Sequence, residues 1–177
     1  MKPLKLEIKG INSFVTNQTI DFKRLSERGL FGIFGKTGSG KSTVLDAIYL
    51  ALYGRIIRTK KLFDVINLQC DKGVVKLKFV ASVNGADNVF LIERELSRDV
   101  SKKVKVKANL FETDELDSFT TLLASGDDEV TEKVTEIIGY GAEEFKQCIA
   151  LPQGEYARFL HESPVNKVNT IAKIFKL

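Results

Sequence analysis

Gly35-Lys36-Thr37-Gly38-Ser39-Gly40-Lys41-Ser42 decides how this chain is read, because it spells G-x-x-x-x-G-K-S, the phosphate-binding loop. The motif requires a strand before it and a helix after it. Gly29-Leu30-Phe31-Gly32-Ile33-Phe34 is a short apolar run of buried-strand type, and residues 43–53 carry a helical pattern with Gly54 placed to stop it. Gly35, Gly38 and Gly40 let the backbone turn tightly and approach a polyphosphate with no Cβ in the way. The loop amides then converge on the β-phosphate, and the positive end of the new helix adds to them. Lys41 supplies a point charge toward the β- and γ-phosphates, and Ser42 offers its hydroxyl to Mg²⁺. A glycine-rich loop with an incidental lysine is the bland alternative, and it leaves the flanking strand and helix unexplained.

Outward from the loop, the pattern is mostly that of strands. Leu4-Lys5-Leu6-Glu7-Ile8 alternates apolar and polar, residues 10–17 form a polar turn, and Thr19-Ile20-Asp21-Phe22 reads as a returning strand. Residues 74–81, 88–94 and 104–111 are three further strands, with turn chemistry at Asn84-Gly85-Ala86-Asp87. They predict an antiparallel meander where a parallel βαβ continuation would otherwise stand. The last third is helical. Asp127 or Asp128 can cap a helix over 129–138 that Gly139 ends, and residues 142–150 predict another helix. Pro152 and Gly154 interrupt, residues 156–160 form a short apolar turn, and Ser163-Pro164 opens a final helix over 165–177. There is no internal repeat and no low-complexity segment.

Composition narrows the class. The chain has 177 residues with 44% hydrophobic content, enough for one domain with a real core. No apolar run is long enough to span a bilayer, and the start is not of signal-peptide type. Cys70 and Cys148 are far apart, which suits a reduced, cytoplasmic protein, and with the single His161 they are too few for a closed zinc site. His161 itself reads as structural. Net charge is +4, gathered in two clusters: Arg55, Arg58, Lys60 and Lys61, and Arg98 with Lys102, Lys103, Lys105 and Lys107. Each is either a candidate phosphate-backbone contact or a solvated basic face, where lysines also discourage sheet-edge aggregation. Phe14, Phe22, Phe31 and Phe34 read as core rather than as a base-stacking platform.

Several of these stretches together carry a family resemblance: Lys2-Pro3-Leu4-Lys5-Leu6, Gly10-Ile11-Asn12-Ser13-Phe14, Gly29-Leu30-Phe31, the phosphate loop, Ala51-Leu52-Tyr53-Gly54, and above all Leu151-Pro152-Gln153-Gly154-Glu155. The whole chain resembles the N-terminal half of the ATPase head of the SbcC family, the SMC-like, ABC-type ATPases of DNA double-strand-break processing. The resemblance implies an α/β fold: an ABC-type P-loop half-domain with an antiparallel β subdomain and a helical C-terminal part leading toward a coiled coil. Residues 1–54 would hold the hairpin, loop and helix, 55–125 the β region, and 126–177 the helical region. It implies ATP bound by the loop from Gly35 to Thr43 with Mg²⁺ on Ser42 and Gln153, the Q-loop glutamine. An amide suits that role, since its carbonyl can join the metal while its NH₂ orients water. Asn12 and Ser13 fall where the family's first turn approaches the nucleotide.

The same resemblance implies partners. They are the chain's own C-terminal half, with the Walker B acids and signature motif, a second head, an SbcD-type nuclease subunit and double-stranded DNA, with no membrane. Zinc is expected only at a hook outside this chain, and the place is the cytoplasm at the nucleoid. The last residues fall about where the coiled coil should begin, so the chain reads as part of a longer protein. Lys36 departs from the family, where an acid is common. Two stretches mimic missing parts: residues 89–93 resemble a Walker B strand ending in Glu93, and 123–127 faintly resemble the signature. Both stand in the wrong context. Two rival readings remain. One is a self-contained small P-loop nucleotide kinase with Glu93 as metal acid. The other is a DNA-binding module that uses nucleotide only structurally.

Overall fold

Six segments, most of them with alternating apolar residues, form one antiparallel sheet. In the computed structural model, which describes residues 1–25, 31–57, 61–99, 103–146 and also Ser163, Val165, Val168 and Ala172, the strands are β1 (Lys2–Lys9), β2 (Gln18–Asp21), β3 (Lys72–Val83), β4 (Ala86–Arg98), β5 (Val104–Thr113) and β6 (Thr120–Ser125). Their spatial order is β2-β1-β3-β4-β5-β6, each pair antiparallel. The β3–β4 hairpin closes on Asn84-Gly85, both at positive φ, as a two-residue hairpin turn of matching twist requires.

Register puts Leu6, Leu77, Ile92 and Leu110 side by side on one face, all fully buried. Two helices cover that face. α2 (Lys41–Tyr53) follows the phosphate loop and is buried along most of its length, and α3 (Asp127–Ile138) turns Val130, Val134, Ile137 and Ile138 inward at helical spacing. Two four-residue helices, α1 (Phe22–Leu25) and α4 (Ala142–Phe145), and a 3-10 turn over Leu62–Asp64 are also present among the described residues. The opposite face carries a cross-strand row of Glu7, Lys76, Glu93 and Asn109.

The expected hairpin, the helix after the loop and the three-strand meander are present, and the meander is longer than expected. It gains β6, and β1 joins it directly through β3. Other expectations change. The run over 29–34 is not a buried strand in its described part: residues 31–36 have no regular structure, and Phe31, Ile33 and Phe34 are exposed, Phe34 by 93%. An all-apolar run is built for burial between neighbours on both faces, and none of the six strands pairs with it. The Phe31 ring lies 5.7 Å from the buried Phe22 ring, and of the four phenylalanines expected in the core Phe22 is buried, Phe14 partly so, and Phe31 and Phe34 are exposed. Phe22 itself begins α1 rather than ending a strand.

The cap of α3 also differs. Gly126, which has no side chain to cap with, occupies the N-cap, and the Asp127 carboxylate in the first turn pairs with the buried Arg94. The helix expected over 142–150 is described only through α4 and Lys146, and the final helix only at Val165, Val168 and Ala172, which are helical.

Candidate functional site: the phosphate loop

The loop from Gly35 to Gly40 wraps a turn whose Ser39 amide donates to the Lys36 carbonyl at 3.2 Å. α2 starts immediately after it, with the Thr43 and Val44 amides bonded to the Gly40 carbonyl at 2.9 and 3.3 Å. No side chain caps the helix, so its N-terminal end stays open to an anion ahead of Thr43. Lys41 Nζ donates to the Gly35 and Lys36 carbonyls at 2.7 and 2.8 Å. The ammonium therefore lies across the mouth of the loop. Lys36, Thr37, Gly38, Ser39 and Ser42 are exposed, and a Cβ built on Gly38 would meet nothing within 4 Å. Thr43 is buried and anchors the first turn. An uncapped helix start, a lysine over the loop and an exposed serine hydroxyl form a donor set that fits a polyphosphate with its Mg²⁺.

The Asn12–Ser13 turn stands against this loop. A Cβ on Gly40 would lie 2.8 Å from Ser13 Oγ and 2.7 Å from the Phe14 ring, and Gly40 has φ +89°. Only glycine satisfies both the left-handed backbone and that approach. Asn12 holds φ +47°, which asparagine tolerates. Its amide donates to the Val65 carbonyl at 2.7 Å, and its own carbonyl accepts from Asn67 Nδ2 at 2.5 Å. A cavity of about 360 Å³ opens between Asn12, Val15 and residues 64–69.

The far end of α2 is held by a residue that sequence reading passed over. Arg94 is fully buried on the inner face of β4. Its Nε donates to the Ala51 carbonyl at 2.7 Å, and Nη2 to the Leu52 carbonyl at 3.2 Å and to Thr131 Oγ1 at 2.8 Å. Nη1 serves the Asp127 carboxylate and, at 3.4 Å, the Asp127 carbonyl. All five guanidinium donors are used. The last-turn carbonyls of the loop's helix and the first residue of α3 thus share one cation. Burial pulls the Arg94 pKa down against the raising effect of Asp127. Burial likewise pushes the Asp127 carboxyl up, more than Arg94 draws it down. Gly54 permits the clamp: a Cβ there would sit 2.6 Å from the Asp127 carboxylate. The pattern Phe90-x-Ile92-x-Arg94-x-Leu96, an arginine on an apolar strand face, was the available signal.

Tyr49 and Tyr53, on the same helix, pack with Phe145 at ring distances of 6.0 and 5.6 Å. The Tyr53 hydroxyl donates to the Tyr140 carbonyl at 3.2 Å, and burial pushes the Tyr49 hydroxyl up to about 12.

Glu93 is excluded from the loop. It alternates with the inward-facing Ile92 and Arg94, so it projects from the sheet face opposite α2, where Lys76 pairs with it at 2.5 Å. Nor is 123–127 a signature loop: it is the end of β6 and the start of α3.

The basic clusters are only partly assembled. Lys61 and Lys103 are exposed. Lys105 lies 3.4 Å from the Asp99 carboxylate, and Lys107 is opposite Glu95. Arg98 leaves its cluster altogether. It turns inward onto the carbonyls of Ile66, Asn67 and Cys70 and stacks over Phe63 at 5.0 Å. Gln153, Arg58, Lys60 and Lys102 lie outside the described residues. Among the described residues no helix is long and apolar enough to cross a membrane.

Comparison with known proteins gives the chain a family. The family described as "AAA domain" matches residues 5–177. The chain is 38% identical over 179 residues to the SbcC component of the SbcCD nuclease of Clostridium acetobutylicum, covering 100% of this chain and 15% of that protein. It is 38% identical over 178 residues to the same component in Bacillus subtilis, covering 100% of this chain and 16% of that protein. The namesake of Deinococcus radiodurans is 27% identical over 174 residues, covering 98% of this chain and 18% of that protein. The chain therefore spans less than a fifth of the length of these relatives.

Proposed function

We propose, on the premise that this chain belongs to the AAA domain family, that it is the ATP-binding N-terminal part of a DNA-repair ATPase head that works with a nuclease subunit. The observation that carries the reading is the loop itself, with Lys41 laid over its carbonyls and the Ser13–Phe14 turn seated on Gly40. The relatives that match over the full length of this chain are named as subunits of a nuclease. The division into hairpin and loop (1–54), β region (55–125) and helical region (126–177), the ABC-type assembly and the continuation into a coiled coil belong to this reading. So does a cytoplasmic place at the nucleoid.

ATP would supply a phosphoanhydride whose hydrolysis releases two heads that close around it. The loop amides and Lys41 bind its phosphates, and Ser42, with Gln153, would hold Mg²⁺. Lys41 gives two of its three N–H donors to the Gly35 and Lys36 carbonyls, so a third is left for a phosphate while the ammonium stays anchored to the loop. Asn12 and Ser13 border the nucleotide. The carboxylate that activates water comes from the C-terminal half of the head. Closure of two heads on ATP then becomes a conformational switch for the nuclease subunit on double-stranded DNA. DNA contact falls to Arg58, Lys60 and Lys61 or to Lys102, Lys103 and Lys105.

The test uses the full-length protein with its nuclease subunit. Wild type binds MgATP in calorimetry and degrades duplex ends in an ATP-dependent manner, and Lys41→Ala loses both. A wild-type protein that binds no ATP overturns the reading. Charge reversal at Lys103 and Lys105 flattens the salt dependence of DNA binding by the complex, whereas an unchanged slope removes that cluster from the interface.

A further inference from the structure

Two layers of hydrogen bonds tie the last residue of β4 to the Asn12 turn, which packs on Gly40 of the phosphate loop. Arg98 Nη1 donates to the Asn67 and Cys70 carbonyls, both at 3.3 Å, and Nη2 to the Ile66 carbonyl at 2.5 Å. Its Nε is buried and makes no hydrogen bond among the described residues. A half-buried cation thus gathers one loop, residues 62–70, by its backbone. That loop in turn grips the Asn12 turn from both sides: Asn67 donates through its amide to the Gly10 carbonyl at 2.9 Å and through Nδ2 to the Asn12 carbonyl, while Val65 accepts from the Asn12 amide. The gripped turn is the one that abuts Gly40.

We infer that Arg98 is a positioning residue for nucleotide binding, acting through residues 62–70 and Asn67 on the Asn12–Ser13 turn and so on the end of the phosphate loop. The inference rests on the nucleotide-site reading above. Its physical content is that three carbonyls converging on one planar fork leave the loop a single placement. Gly40 has no side chain of its own to resist a shift of Ser13 and Phe14. A small displacement of the turn therefore reaches the amides that meet the phosphates, where misplacement is expensive.

The experiment is MgATP affinity by calorimetry, with melting temperature, in the full-length protein. Arg98→Met weakens binding about tenfold, and Asn67→Ala weakens it comparably. Because both act on one path, the double variant is no more than about twofold weaker than Arg98→Met alone. Val134→Ala, a cavity in α3 away from the path, lowers the melting temperature while leaving affinity within about twofold of wild type. The inference is overturned if Arg98→Met binds ATP as wild type does. It is overturned equally if the two losses multiply, or if Val134→Ala weakens ATP as much as Arg98→Met does. Wild type failing to bind ATP would overturn the nucleotide-site reading itself, an outcome distinct from all of these.

Discussion

Arg94 of β4 and Asp127 at the start of α3 form an ion pair in which the arginine is fully buried. The pair also carries the end of α2, since the same guanidinium takes the Ala51 and Leu52 carbonyls. Removing the cation leaves a half-buried carboxylate and two helix-end carbonyls without their donor. Arg94→Met should cost about 3–5 kcal/mol in urea unfolding. Asp127→Asn keeps an acceptor and should cost about 1–2 kcal/mol. Equal losses for the two variants would show that the clamp is not centred on Arg94.

Gly40→Ala tests the seat of the Ser13–Phe14 turn. The substitution needs a left-handed alanine at φ +89° and a methyl 2.7 Å from the Phe14 ring. The backbone term alone is about 1–2 kcal/mol. ATP affinity should fall by at least about tenfold, read by calorimetry, since the loop's last amide moves with Gly40. Wild-type affinity in this variant would mean that the turn does not govern the loop.

Acid should loosen the β5–β6 connection before it unfolds the sheet. The Ser118 amide, then the Ser118 hydroxyl, hold the Asp114 carboxyl below its ordinary value of 3.8. Lys23, bonded at 2.5 Å, does the same for Glu115 against its ordinary 4.5. A depressed folded-state pKa means the contribution is present above the ordinary value and is lost as pH falls through the depressed one. The Ser118 amide resonance should therefore titrate at a pH below 3.8, and Asp114→Asn should abolish that titration.

Glu93→Gln separates this protein from a self-contained kinase. The Lys76–Glu93 pair sits on the sheet face away from α2 with the lysine 41% exposed, so its loss should cost no more than about 1 kcal/mol. ATP turnover by the full-length protein should be unchanged. A collapse of turnover with stability intact would restore Glu93 as the metal acid.

Much of the fold was legible because its determinants are local. Alternation at period two needs only a few neighbouring residues, and Asn84-Gly85 sets the hairpin by its own dihedral preferences. β6 escaped because Thr120-Thr121-Leu122-Leu123-Ala124-Ser125 does not alternate, and its pairing shifts register beside Leu110. Asp127 and Asp128 both suit a cap in sequence, because a helix start offers an aspartate its nearest amides. A buried guanidinium, supplied by a strand 33 residues earlier, outbids them.

Residue types at fixed short spacings specify the phosphate loop, the helix behind it and the turn glycines. What that loop leans on, and what the two arginines of β4 hold, came only with the folded sheet. Arg94 and Arg98 look in sequence like surface charges on a strand. Their partners lie 28 to 43 residues away, and no local pattern says which carbonyls will need a donor once helices and loops have closed over the sheet. The same holds for Phe31, Ile33 and Phe34: apolarity marks them for burial, but burial requires a neighbouring strand, and pairing is a property of the assembled sheet.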